Sequence, residues 1–292
     1  MALHALPAGL PPDEVEKLRW KTFGHRHSNA LTSVDGLVRF ITQRGFVLTQ
    51  PQRGLHFPSA LEAVVGRPLL GRSFDTRTSQ LEAWRLRCLA SRRLYAAAAL
   101  EGRATLATPP FQRDFLALAT RREEVRDTDR APVRNVLGHD AAAICEHLAR
   151  AGQPLSQEQL EERMQLRSDS GRTRLRQALA EAIRGFRVCE VVVPGASAEA
   201  TLGYDLVARA CNAVLEKAAS VRPATARQRI ATRYLRNVLV AGCHELARIL
   251  GWSQADTLET LRHLESHKIA HEHPASRHNR WFFQANATDL LP

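Results

Sequence analysis

Histidine and arginine are the residue types in this chain whose number and spacing could do chemistry. His263, His267, His271 and His273 include an i, i+4 pair on a helical pattern, which is metal-ligand spacing. No acid or cysteine is fixed beside them, and histidines among arginines and asparagines also suit phosphate contact, so no metal is assigned there. His25 and His27 form a second close pair, again without a cysteine or an acid cluster, and read as part of a solvated loop. Arg172, Arg174 and Arg176 stand at the start of one helical pattern, and Arg227, Arg229, Arg233 and Arg236 run along another. Arg277 lies in a hairpin turn and Arg280 opens the strand after it. A guanidinium is a planar fork of donors that matches phosphate oxygens and the guanine edge, so these positions, with His263, are the candidate DNA contacts. A mixed-charge helix can equally be a solvated face, and that reading stays open for Arg227 to Arg236. The chain has no glycine-rich phosphate cradle, no G-x-S-x-G and no H-E-x-x-H. An ATPase or a common hydrolase is therefore not expected, nor is a nucleotide or any other cofactor.

The bulk composition agrees with a polyanionic partner. Lys plus Arg is 41 against 30 for Asp plus Glu, and the isoelectric point is about 10.3. Codon bias toward arginine and alanine would give the same excess, and the Ala-rich stretch LYAAAALEGRA is consistent with it. The five cysteines Cys88, Cys145, Cys189, Cys211 and Cys243 are scattered without a C-x-x-C pair. That pattern argues against a disulfide framework or zinc ribbon and for a reducing compartment. No apolar run approaches membrane-spanning length, and Met1 to Leu10 lacks a charged start before a signal-like core. The expectation is a soluble, cytoplasmic, nucleoid-associated protein with no membrane partner.

The elements that must hold these side chains follow from periodicity and stop signals. In the stretch from Gly242 to Phe283, Leu246, Ile249 and Leu250 lie at helical spacing, and Gly251 stops that helix. Ser253 with Asp256 starts the next, in which Leu258, Leu261 and Leu264 form the buried stripe and Thr257, Thr260, Arg262 and His263 face a partner. Ile269 to His273, the turn PASRHN, and Arg280 to Phe283 complete a basic-tipped hairpin. Two helices, a tight turn and a hairpin make a winged helix-turn-helix, which lays its second helix in the DNA major groove. His139 to Asp205 repeats the pattern: a helix ended by Gly152, a Ser156/Gln159 capping box, a helix from about Ser170, the strand Phe186 to Val193, the wing turn PGASAEA and the return TLGYDLV. Thr32 to Gly102 has a less regular version of it. Ser33 caps a helix through Gln43, an extended crossing follows, Ser59 caps LEAVVG, and a long helix runs from about Thr78 to Leu100 through Trp84, Leu89 and Tyr95. ATLAT and PPFQRDFLALA then read as a strand and a closing helix, and a short helix is expected at Asp13 to Trp20.

The fold class is accordingly mainly α with small β-wings (α+β), as three tandem winged helix-turn-helix units. The divisions are an N-terminal extension at 1–30, a divergent winged helix at 31–120, a charged linker at 121–138, a second winged helix at 139–210 and a third at 211–292.

Three such units, with RGFVLTQPQRGLHFPSALEAVVGRP near the start of the first, resemble the crosslink-repair DNA glycosylase superfamily of the AlkZ and YcaQ type, and within it the AlkZ-related branch. The resemblance rests on Gly45 and Phe46, then Pro58, Ser59, Leu61, Ala63, Gly66 and Arg67, then a Trp-led helix with Trp84, Arg92, Arg93 and Tyr95; it covers about Ser33 to Ala270. It implies a concave basic surface around duplex DNA, with the crossing from Gln50 to His56 where related enzymes keep a lesion pocket. In active members a Q-x-Q or Q-x-acid motif follows the GFV-like strand and orients water at the sugar–base bond. Aligned on Gly45, Phe46, Val47 and Pro51, the first motif position here is Leu48 and the second is Gln50, and Gln52 restores a Q-x-Q pair only by shifting past the proline. Gln50 and Gln52 are thus the catalytic residues that the resemblance implies. An amide cannot deprotonate water, and a carboxylate is the usual group for stabilising a cationic sugar. Glu62 and Asp75 are the nearest acids, and both read as surface or capping residues.

Three functions follow as expectations. One is a duplex-binding protein of glycosylase-like architecture, its DNA possibly damaged. Another is an active glycosylase for alkylated or crosslinked bases. The third is a winged-helix transcription regulator, which selection from random sequence would reveal through a preferred site.

Overall fold

The computed structural model of the chain describes residues 12–25, 30–69, 77–119, 137–194, 200–272 and 280–284. It is a mixed fold of helices with small antiparallel sheets, and its residues group into two compact units, 1–81 with 223–292, and 82–222. Among the described residues, no helix is long and apolar enough to cross a membrane.

The first unit joins the two ends of the chain. Helices α1 (Pro12–Phe23) and α2 (Val34–Arg44) precede strand β1 (Phe46–Leu48) and helix α3 (Ala60–Val65). Ser33 caps α2 by accepting from Gly36 N at 3.1 Å, and Gly45, at φ 74°, ends it in a conformation that an L side chain adopts only with strain. β1 is fully buried, and the chain returns from a turn at Gln52–Leu55 to place Ser59 in a parallel bridge with Leu48. From the far end of the chain come α11 (Pro223–Val238), β7 (Val240–Gly242), α12 (Cys243–Leu250), α13 (Gln254–Ser266), β8 (Ala270–Glu272) and β9 (Trp281–Gln284). β9 lies between β7 and β8, with Ala241 opposite Phe282 and His271 opposite Phe283. α11 is the scaffold of the unit. Its Tyr234 stacks on Phe57 at 5.1 Å, and Phe57 on Phe46 at 5.4 Å. Asn237 donates to the Arg44 carbonyl at 3.0 Å and Arg233 to the Gln43 carbonyl at 2.5 Å, so two carbonyls left open at the end of α2 are satisfied from α11. Arg227 pairs with Asp256 at 3.0 Å. These arginines, read from the sequence as either a groove surface or a solvated face, in part hold the unit together.

The second unit opens within α4 (Thr78–Ala90) and continues with β2 (Tyr95–Leu100), β3 (Arg103–Ala107) and α5 (Pro109–Ala119). There follow α6 (His139–Ala151), β4 (Leu155–Ser156), α7 (Gln157–Arg163), α8 (Asp169–Arg184), β5 (Val188–Pro194), β6 (Ala200–Leu206), α9 (Val207–Ala210) and α10 (Asn212–Ala218). Both arms of the Ser156/Gln159 capping box form. β5 and β6 pair from Val188 with Leu206 to Pro194 with Ala200, and β4 adds to β6 through Leu155 and Tyr204. Leu148, Leu155, Leu160, Leu175, Leu179, Val188 and Leu206 close one core between α6, α7, α8 and this sheet.

Two readings of the sequence are corrected. The helix expected from Thr78 to Leu100 stops at Ala90, and Tyr95–Leu100 is a strand whose Ala96 faces Leu106 and Ala97 faces Thr105. Ser91 N and Arg93 N close onto the carbonyls of Arg87 and Cys88, and Arg92 enters the left-handed region at φ 52°, which turns the chain out of the helix. The helix propensity of an alanine run amounts to a few tenths of a kcal/mol per residue, which pairing with β3 and burial of Ala96 to Ala98 override. On α13 the inward stripe is Thr257, Thr260, Leu261 and Leu264, all buried, while Leu258 is half-buried. Steps of three residues drift by about 60° each, so 258, 261 and 264 cannot stay on one face. The threonines become tolerable inside because their hydroxyls donate to the carbonyls of Ser253 and Asp256 at 2.8 and 2.7 Å. The wing turns at 195–199 and 273–279 and most of the charged linker lie outside the described residues.

Candidate nucleic-acid interface

α8 presents the three arginines expected to meet phosphate. Ser168 caps it by accepting from Gly171 N at 3.1 Å, Asp169 suits its positive end, and Leu175, Ala178, Leu179 and Ala182 turn inward. Helical spacing then throws Arg172, Arg174 and Arg176 to the solvent side, and all three are exposed. Their partners differ. Arg174 makes a two-pronged contact with Asp140 of α6, Nε to Oδ2 at 2.6 Å and Nη2 to Oδ1 at 2.7 Å. Those hydrogen bonds from Arg174 hold the Asp140 carboxyl below the usual carboxylate range. Arg172 lies between Glu161 at 3.3 Å and Asp169 at 3.4 Å. Arg176 touches the Arg172 carbonyl at 3.3 Å and the Thr173 hydroxyl at 3.2 Å, both neutral groups. A shallow groove beside Arg174 is lined by Gly138, His139, Asp140, Gln177 and Glu181. Asp140, which the sequence reading did not single out, is thus the group that sets how available Arg174 is.

α13 carries a different surface. Its exposed side holds Glu259, Arg262 and Ser266, and Asp256 at its start is taken by Arg227. His263 is half-buried against His267, their rings 4.1 Å apart, and His267 Nδ1 lies 2.9 Å from the His263 carbonyl. Arg280 pairs with Glu272 across the hairpin at 3.4 Å. Arg277 and His273 lie outside the described residues. Among the described residues, no group of three or more His, Cys, Asp and Glu side chains is placed to hold a metal ion.

Gln50 is exposed where the chain leaves the buried run from Phe46 to Thr49, and half-buried Gln52 starts the turn whose Leu55 N bonds back to its carbonyl at 3.2 Å. Glu62, expected at the surface or as a cap, is a buried cap. Ser59 Oγ donates to its Oε2 at 2.8 Å, and Leu69 N donates to its Oε1 at 3.0 Å. His25, read as loop, packs edge-on against Phe23 with its Nε2 3.5 Å from Glu62 Oε2. The Ser59-x-x-Glu62 spacing signalled the cap; nothing local signalled the histidine beside it. Asp75 lies outside the described residues.

No family model matches the sequence, and no curated protein matches it. Among solved structures the chain is similar to the DNA glycosylase AlkZ of Streptomyces sahachiroi, with a TM-score of 0.52 and 16% identity over 94% of this chain and 71% of that one. At that identity the likeness carries the architecture and no more: the chain has an AlkZ-like fold.

Proposed function

We propose that this protein binds duplex DNA through tandem winged helix-turn-helix units, in a role related to DNA repair. The observation that carries the reading is the set of exposed arginines near the start of α8, Arg172 and Arg176 one turn apart on one side and Arg174 on the side toward Asp140, behind a capped helix-turn-helix and ahead of a long hairpin. The fold shared with a DNA glycosylase supports it. The modules α6 to β6 and α11 to β9 have the same order of helix, short strand, two helices and hairpin, which supports a repeated unit. In this reading α8 lies along the major groove with its arginines on phosphates, and His263, Arg277 and Arg280 add contacts from the last unit. Damage in the duplex is what the crossing from Gln50 to His56 would meet.

The test is a titration of labelled duplex at increasing salt. The three α8 arginines alone predict a slope of about −3 in log affinity against log salt, and phosphate contacts from the last unit steepen it. A folded protein with no detectable affinity at low salt, or with a flat salt response, sinks the proposal.

One observation favours a second reading, an active glycosylase. Gln50 is exposed just past a rigid buried strand, where an amide could orient water. Against it, both oxygens of buried Glu62, the nearer in sequence of the two acids considered for that role, already serve the fold, and an amide cannot itself deprotonate water. Incubation with alkylated duplex, then alkaline heating to cut abasic sites, distinguishes the two. Strand breaks that disappear in Gln50→Ala would establish catalysis; their absence at enzyme excess would leave binding alone.

A further inference from the structure

The second unit contains a pair of thiols that the DNA-binding reading does not use. Cys189 on β5 and Cys211 at the corner between α9 and α10 lie with their sulfurs 3.9 Å apart, though 22 positions separate them in the chain. Both are buried, in a cluster with Leu116, Val207, Val214 and Ala218. The other cysteines are buried too, and burial, as the largest cause, pushes the Cys145 thiol up to about 11. The pair behaves differently. The contact between the two sulfurs, in which either can donate, lowers the pKa of Cys211 and, with burial, raises that of Cys189. At that separation each sulfur is within reach of the other once one of them is oxidised.

We propose that Cys189 and Cys211 form a reversible disulfide under peroxide, a redox lock that ties β5 to the α9–α10 corner. The Cys211 thiol gives up its proton as its sulfur attacks one peroxide oxygen; the O–O bond breaks and the departing hydroxide takes that proton and leaves as water, giving a sulfenic acid at Cys211. The Cys189 sulfur then attacks that sulfur, the S–O bond breaks, and a second water departs with the proton of Cys189. Two thiols lose two electrons in all, and the peroxide accepts them. Closing the present gap to a bond of about 2.05 Å moves the sulfurs by about 2 Å.

The full-length chain, reduced and then exposed to hydrogen peroxide, is alkylated in denaturant and digested with trypsin. Cleavage after Arg187, Arg209 and Lys217 puts the two cysteines in separate peptides. The expected product is the linked pair of those peptides, lighter by two hydrogens than their sum, released by dithiothreitol and missing from Cys211→Ser and Cys189→Ala. The link should raise the thermal midpoint on the order of 5 °C, since it closes a loop in the unfolded chain. Recovery of both cysteines as separate alkylated or oxygenated peptides overturns the proposal, and a link formed without a rise in midpoint overturns the lock. The wild-type readouts do not depend on how well either variant folds.

Discussion

At Arg174 a carboxylate and a phosphate compete for one guanidinium. Both prongs of its fork are engaged by Asp140, so an incoming phosphate must first displace a well-aligned partner. Arg176 is hydrogen-bonded to neutral oxygens and feels the Glu161 carboxylate only through space, a looser rival than Asp140 is to Arg174. Asp140→Asn should therefore tighten duplex binding severalfold and steepen the salt slope by about one, and Arg176→Ala should weaken binding more than Arg174→Ala does. Anisotropy titrations at two salt concentrations measure both. The same pair has a pH signature. Because the folded Asp140 value is depressed, its stabilising contribution is complete above the unfolded carboxylate range and is lost as pH falls through the folded value. The acid limb of the midpoint–pH curve should be shallower in Asp140→Asn. A more costly residue is Arg85, buried on α4 with Glu190 at 2.5 Å and Glu82 at 2.9 Å. Burial opposes its charge, yet the two carboxylates outweigh that and raise its pKa, while burial keeps the Glu190 carboxyl above its usual range despite Arg85. Arg85→Ala leaves the half-buried Glu190 carboxylate short of its main partner and should lower unfolding free energy by about 2–3 kcal/mol in urea titrations.

Among the elements, the α7–α8 turn sets how the α8 arginines are presented. Gly171 is buried at the start of α8, and a methyl group there would meet the Leu166 carbonyl carbon and oxygen at 2.8 Å. Those are backbone atoms and cannot step aside. Gly171→Ala should cost about 1–3 kcal/mol in equilibrium unfolding, and should lower DNA affinity by tilting α8, whereas Ala180→Gly on the exposed side should cost about 1 kcal/mol and spare affinity. This level was the most legible in the sequence. Ser33, Ser59, Ser156 and Ser253 all cap helices, and Gly152 and Gly251 end them, because a cap satisfies backbone groups within a few residues. The misreading on α13 was in part a local one, a three-residue step taken for a helical stripe, and that at Tyr95 to Leu100 was not. Whether an alanine faces a strand, or a threonine faces a core, depends on residues far away in the chain.

For the whole molecule, the grouping of the chain's two ends is the main structural fact. Residues 1–81 and 223–292 form one unit, and α11 runs through its centre. Arg19 donates to the Val238 carbonyl at 3.0 Å, and Val15 packs with Val240 and Phe283. A chain ending at 222 should accordingly lose the fold of its first 81 residues and keep that of 82–222, which amide exchange would map segment by segment. If the first segment kept its protection, α11 would not be the scaffold described. A finer probe is Asn237→Ala, which removes a buried donor to the Arg44 carbonyl and should cost about 1–3 kcal/mol.

The sequence by itself determined the local alphabet of this protein: where most helices begin and end, the two hairpins β5–β6 and β8–β9, and which arginines stand outward on α8. Those features are set within a turn or two by caps, glycines and hydrophobic period, so single-chain pattern suffices. Only the tertiary structure decided that Tyr234 lies on Phe57, that Asp140 holds Arg174, that Glu62 is enclosed with His25, and that two thiols meet across 22 positions. Each joins elements far apart along the chain, and no periodicity records such a meeting. Burial and ion pairing act through space, whereas periodicity is counted along the backbone.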